Sequence, residues 1–152
     1  MCIRDSYHPH RHGTVADQVF GGLGGVLIVR GALDRIPEVA AAEEEILFLK
    51  DLAAGEVFPA MGMMMGREGS VLTVNGQVNP QLQVSRGGLL RLRIVNGSNA
   101  RFWRLALEGH SLHLIATDGG ALQAPVELQE LCLLYTSPSP RDATLSRMPS
   151  SA

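Results

Sequence analysis

The residues best suited to chemistry sit in one short run, YHPHRHG at positions 7–13, which holds three of the chain's five histidines on alternate residues. In an extended strand, side chains two apart project to the same face, with Cα atoms somewhat under ~7 Å apart. His8 and His10 so placed would ligate two metal ions a few ångströms apart, or sit side by side on one. Neutral imidazole suits copper, zinc, iron or nickel. Pro9 removes a backbone donor between them, which predicts an edge strand or irregular backbone. Taken alone, the alternation fits a surface histidine cluster as well as a metal site, and it leaves the two open.

The two ends of the chain do not read as folding sequence. MCIRDS fits a translation of ATG TGT ATA AGA GAC AG, a transposon end used in sequencing-library adapters, and CLLYTS fits its reverse complement. The tail beyond is a Ser/Pro/Arg run without a hydrophobic period. Residues 1–6 and 132–152 are therefore set aside as adapter-derived sequence. The remaining stretch, 7–131, holds 10 Lys and Arg against 13 Asp and Glu. That acidic balance argues against a nucleic-acid partner. Both cysteines, Cys2 and Cys132, fall in the excluded ends, so cysteine usage does not report a redox compartment. No apolar run approaches the ~20 residues that span a bilayer.

All 17 glycines lie in the inner stretch and punctuate short apolar runs. This is the texture of an all-β chain with frequent turns. GGVLIVRG reads as a buried strand. LLRLRIVNG alternates, with Leu90, Leu92 and Ile94 on one face and Arg91, Arg93 and Val95 on the other. RFWRLALEG and HSLHLIATDGG read as an antiparallel pair joined at Glu108-Gly109 and closed by Asp118-Gly119-Gly120. EVAAAEEEILFLKDLAAG is rich in helix formers, yet EEILFLKDL also serves as a strand with Ile46, Phe48 and Lys50 on one face, and strand is preferred there. The acidic, aromatic-free segment ALDRIPEVAAAEEE, within 31–45, looks like a linker between two β units.

These elements give the histidines a context. YHPHRHGTVADQVFGGLGGVLIVRG is similar to the second copper-binding motif of multicopper oxidases, in the aromatic before His-Pro-His, the following His-Gly, Gln18, and the Gly-Leu-x-Gly leading into an apolar strand. VNGQVNPQLQVSRGGLLRLRIVNGSNARFWRLALEGHSLHLIATDGGAL independently resembles the second cupredoxin-like domain of that family. The resemblance implies cupredoxin-like Greek-key β-sandwiches: 7–30 as the C-terminal part of a first domain, 31–45 as linker, and 46–131 as a truncated second domain. It implies that His8 and His10 each bind one copper of the type 3 pair, in a three-copper cluster that reduces dioxygen to water. His12 would have a supporting role beside the ligands. The chain reads as an internal fragment, inactive alone, of an oxidase that takes electrons singly from phenolic or metal-ion donors. The type 1 copper that receives those electrons, bound by cysteine and histidines in a third domain, has no matching motif here. The resemblance also implies a periplasmic or secreted protein.

Other residues invite functional readings. Met61, Met63, Met64 and Met65 cluster in FPAMGMMMGREG, and thioethers suit Cu(I); a Met-lined packing loop is the preferred reading. Arg91, Arg93, Arg101 and Arg104 would form a basic strip or the charge of an exposed strand face. His110 and His113, three apart along a strand, point to opposite faces and read as structural. A cupin-type site also begins with His-x-His, but the glutamate it needs is missing from Thr14 to Val19. The alternative to an oxidase is a non-catalytic exported scaffold or binding protein of the same fold. Retention of both His8 and His10 favours the oxidase.

Overall fold

The computed structural model describes residues 6–56, 66–118 and 120–133. Its described residues form an all-β chain with short helical insertions. Strand β1, Ser6–Tyr7, pairs antiparallel with β2, Gly25–Val26, and helix α1, Val15–Phe20, lies between them in sequence. A 3-10 turn at Leu33–Arg35 and a one-turn helix α2 at Pro37–Ala40 lead into the long strand β3, Glu43–Leu52. β3 is central to a three-stranded sheet, flanked by antiparallel β4, Val71–Val74, and parallel β5, Leu90–Asn96. Next come β6, Trp103–Ala106, β7, Leu112–Thr117, β8, Gly120–Leu128, and β9, Glu130–Leu133.

Period-two patterning explains β5. Leu90, Leu92 and Ile94 line an apolar cavity of about 470 Å³, shared with Leu112, Leu114 and Leu128 of the β7–β8 hairpin. Arg91 and Arg93 do not form the exposed strip that their spacing suggests. Their side chains are only 9% and 14% exposed, and both reach Asp34 and Glu44. Asp34 stands on the 3-10 turn and Glu44 on β3, so the acidic segment read as a linker is fastened to β5 by charge. Arg30 adds a bond of 2.6 Å to Glu44.

Two further expectations are corrected. GGVLIVRG is not a buried strand: only Gly25–Val26 joins a ladder, and Leu27 and Val29 are about half exposed because no described element covers them. β6 and β7 do not form a hairpin ladder. After the Glu108-Gly109 turn a single bridge, Leu107 to His110, connects them, and then β6 pairs with β9 and β7 with β8. For β6 a non-local partner therefore prevails over sequence proximity. α1 also escapes sequence reading, because six residues are too few to establish a helical period. By contrast, the strand reading of EEILFLKDL agrees with β3. β9 continues through Cys132 and Leu133, two residues from the segment set aside as adapter.

Phe48 of β3 fixes the approach of two backbones. A Cβ placed on Gly97 would fall 2.3 Å from its ring, and one on Gly24 would lie 3.6 Å away. The buried residues Leu49, Val95 and Thr73 lie on the three strands of the central sheet.

The charge cluster makes a testable statement about acid stability. Burial raises the Asp34 carboxyl, but the Gly31 N–H and the Arg91 and Arg93 guanidiniums outweigh it and hold the group down at about 2. A carboxyl depressed by folding stabilises the protein above its ordinary range, and this contribution disappears as pH falls toward 2. Asp34→Asn should cost about 2 kcal/mol at neutral pH, less than a fully stranded buried charge because Glu44 remains as a partner. Urea unfolding should show that difference shrinking between about pH 4 and pH 2.

Candidate metal centre

The histidine run follows β1 directly. Tyr7 closes the two-rung ladder opposite Gly25, and His8, Pro9 and His10 then run in irregular backbone rather than in a strand. The proline accounts for the ladder ending there, since it offers no N–H. His8 and His10 are both exposed, with ring centroids 6.3 Å apart and planes inclined by 32°. His12 is exposed as well, its ring 5.3 Å from that of His10 and nearly perpendicular to it. His8 Nδ1 lies 3.0 Å from the Pro9 carbonyl oxygen. Because a carbonyl only accepts, that contact requires a hydrogen on Nδ1, so in the neutral ring Nε2 is the nitrogen with the lone pair.

Downstream, the Thr14 N–H and hydroxyl both donate to the Arg11 carbonyl, at 3.1 and 3.2 Å. Gly13, at φ 83°, supplies the left-handed residue of this turn. The turn delivers the chain into α1. A helix of six residues is not stable by itself, and α1 is secured by residues of the segments that flank β4 and β5. Asn99 Nδ2 donates to the Ala16 carbonyl at 2.9 Å. Arg67 pairs with Asp17, and its guanidinium lies 5.1 Å from the centroid of the Phe20 ring, the buried residue of the helix. Asn99 is itself held, since Lys50 Nζ donates to its Oδ1 at 3.3 Å and to the Gly97 carbonyl at 2.8 Å. Gln18 Oε1 is buried without a hydrogen-bond partner among the described residues.

A second polar cluster stands beside these ties. Asp51, with no exposed surface, accepts from the Gly69 N–H at 2.8 Å and from Arg101 Nε at 3.3 Å, while Arg101 also reaches Glu68. Arg104, by contrast, is an exposed strand residue facing Glu130. Of the basic strip read from sequence, three arginines are thus held by internal carboxylates. His110 and His113 are exposed and stand apart from the histidine run, His110 Nδ1 facing the Glu108 carbonyl and His113 paired across the ladder with Glu127. Met61, Met63, Met64 and Met65 lie outside the described residues.

The donor chemistry of the run fits copper, since imidazoles accept the metal in either oxidation state without being oxidised themselves. The number of donors is incomplete. Among the described residues, no three His, Cys, Asp or Glu side chains converge to hold a metal ion.

Comparison with known proteins decides the family. The profile of the multicopper oxidase family matches residues 43–134. The chain belongs to the multicopper oxidases. Among solved structures, the McoA multicopper oxidase of Aquifex aeolicus superimposes with a TM-score of 0.74 at 32% identity, covering 88% of this chain and 32% of that one. A laccase-like multicopper oxidase, CueO, from Ochrobactrum sp. superimposes with a TM-score of 0.71 at 29% identity, covering 85% and 31%. The fold is therefore the cupredoxin-like architecture of multicopper oxidase domains. A curated relative, the cell division protein FtsP of Dickeya dadantii, is 35% identical over 137 residues, which is 84% of this chain and 28% of the relative. FtsP of Escherichia coli K12 is 33% identical over the same share of each chain. The chain thus spans just over a quarter of the length of these relatives.

Sequence reasoning found the histidines but missed the residues behind them. Lys50 was visible as the odd member of an apolar run, and Asn99 carried no signal that local patterning reads. Burial pushes the Lys50 ammonium down to about 8 from 10.5, against the opposing pull of Asp51. Folding therefore penalises the charged form, so the penalty is full below about pH 8 and is relieved as pH rises toward 10.5. Lys50→Met should flatten a rise in stability across that window, a difference on the order of 3 kcal/mol by urea titration at each pH.

Proposed function

We propose that this multicopper oxidase chain provides two copper ligands, His8 and His10, to an oxidase that takes single electrons from phenolic or metal-ion donors and delivers four to dioxygen, giving water. The observation that carries this reading is a pair of neighbouring, exposed imidazoles that make no side-chain hydrogen bond among the described residues, held between a ladder and a tethered helix. Copper bound there would supply the one-electron changes of oxidation state that the reaction needs. The chain's own residues orient the imidazoles: the Pro9 carbonyl accepts a hydrogen bond from His8 Nδ1–H, and the anchored ends on either side limit the run. Two histidines belong to a type 3 copper pair in this reading, and the remaining ligands and the type 1 site belong to other parts of a longer protein. In the same reading 7–30 closes a first sandwich, 31–45 connects, and 46–131 belongs to a second, in a periplasmic or secreted protein.

One observation favours a second reading. The curated relatives named above are cell division proteins, which supports a non-catalytic scaffold or binding role for the same fold. Histidine variants separate the two. In the full-length parent, His8→Ala and His10→Ala should each abolish dioxygen consumption with a phenolic donor and lower the copper count, while blue absorption from the type 1 site persists. Full turnover with an unchanged copper count in both variants would remove the ligand assignment and leave the scaffold reading.

A further inference from the structure

We propose that Asn99 and Arg67 are positioning residues for the histidine run, holding α1 against the central sheet so that the imidazoles preceding it keep the spacing a metal requires. The inference rests on the oxidase reading and extends it to residues more than fifty positions away in sequence.

The elements adjoining the run cannot hold it in place by themselves. β1–β2 has only two rungs, and the histidines themselves lie in irregular, exposed backbone. α1 has six residues and no side-chain cap at Thr14. Neither end is rigid by itself, because a short ladder and a short helix are each marginal in water. The polar ties given for α1 come from elsewhere: Asn99 on the Ala16 carbonyl, and Arg67 on Asp17 and over the Phe20 ring. These contacts form two clamps on one helix, Asn99 at Ala16 and Arg67 reaching from Asp17 to the Phe20 ring.

Asn99 suits this duty because its amide is used from both ends. Oδ1 accepts from Lys50, which is only 5% exposed and is anchored on the Gly97 carbonyl, and Nδ2 donates to Ala16. The side chain thus links a buried strand residue to the helix through two directed bonds, and its amide orientation follows from the two partners. Arg67 contributes a charge pair with an exposed carboxylate and a cation over an aromatic face, contacts that orient more than they stabilise.

The decisive variant is Asn99→Asp, which keeps an acceptor for Lys50 and loses the donor to Ala16. Amide hydrogen exchange of this chain is compared with that of Asn99→Asp and Arg67→Met, together with Cu(II) titrations and urea unfolding. Exchange at residues 16–22 should quicken about tenfold and Cu(II) affinity should fall by about tenfold, the usual effect of losing a residue that orients a ligand. The urea midpoint of the β3–β5 sheet should stay in place. His8→Ala and His10→Ala serve as the reference. If they leave Cu(II) affinity intact, the ligand assignment fails, and the helix clamp is then judged by exchange alone. If they weaken it while Asn99→Asp does not, positioning is overturned and the ligand assignment stands. Unchanged exchange in both clamp variants overturns the clamp in either case. As a rescue, Arg67→Asp combined with Asp17→Arg should recover part of the exchange protection lost in Arg67→Asp alone; no recovery would count against the pair.

Discussion

A parallel pair of strands has no tight turn to set its register, and in this chain β3 and β5 are such a pair, aligned over seven residues with Glu43 opposite Leu90 and Leu49 opposite Asn96. Side chains must therefore select the alignment. Glu44 lies directly across from Arg91, and with Asp34 it receives both guanidiniums of β5. A slip by one residue would turn Leu90, Leu92 and Ile94 out of the apolar cavity and drive the arginines into it. The cost of burying unpaired guanidiniums makes that alternative prohibitive. Everything that depends on the position of β5, including the Asn96-to-Asn99 segment and its bond to α1, inherits this alignment.

The legible parts of the fold are those with a local signature. β5 displays two faces in its own seven residues, and the apolar centre of β3 stands out against its acidic start. The glycines after Asp118 were likewise legible as the end of a strand, but β8, the strand that β7 pairs with, was not read. Pairings that depend on distant partners were not. β6 looked matched to β7 because the two are adjacent in sequence, yet Trp103 to Ala106 lie against β9. Lys50 is a similar case, since lysine in a strand suggests surface, and the groups that satisfy it lie 47 and 49 residues onward.

The candidate site divides along the same line. Residue type and spacing disclosed the donors, because imidazoles on alternate residues around a proline are unusual in so short a run. The arrangement that restrains them has no such mark. It is composed of a single amide, a single arginine and a six-residue helix, each unremarkable in isolation, and it exists only once β3, β5 and the segment after β5 have been brought together. The exposed Leu27 and Val29 show the other side of this dependence. Apolar residues that local reading assigns to a core have no described neighbour to bury them.

Gly97 follows Asn96 in a dipeptide that ordinarily signals a left-handed turn, but its φ is not in the positive region. What excludes a side chain there is the Phe48 ring, which already fills the space of a Cβ. The two positions therefore constitute one volume divided between two strands. Through evolution they are expected to covary, with glycine at 97 retained as long as an aromatic occupies 48, and a larger residue at 97 accepted only where 48 has shrunk.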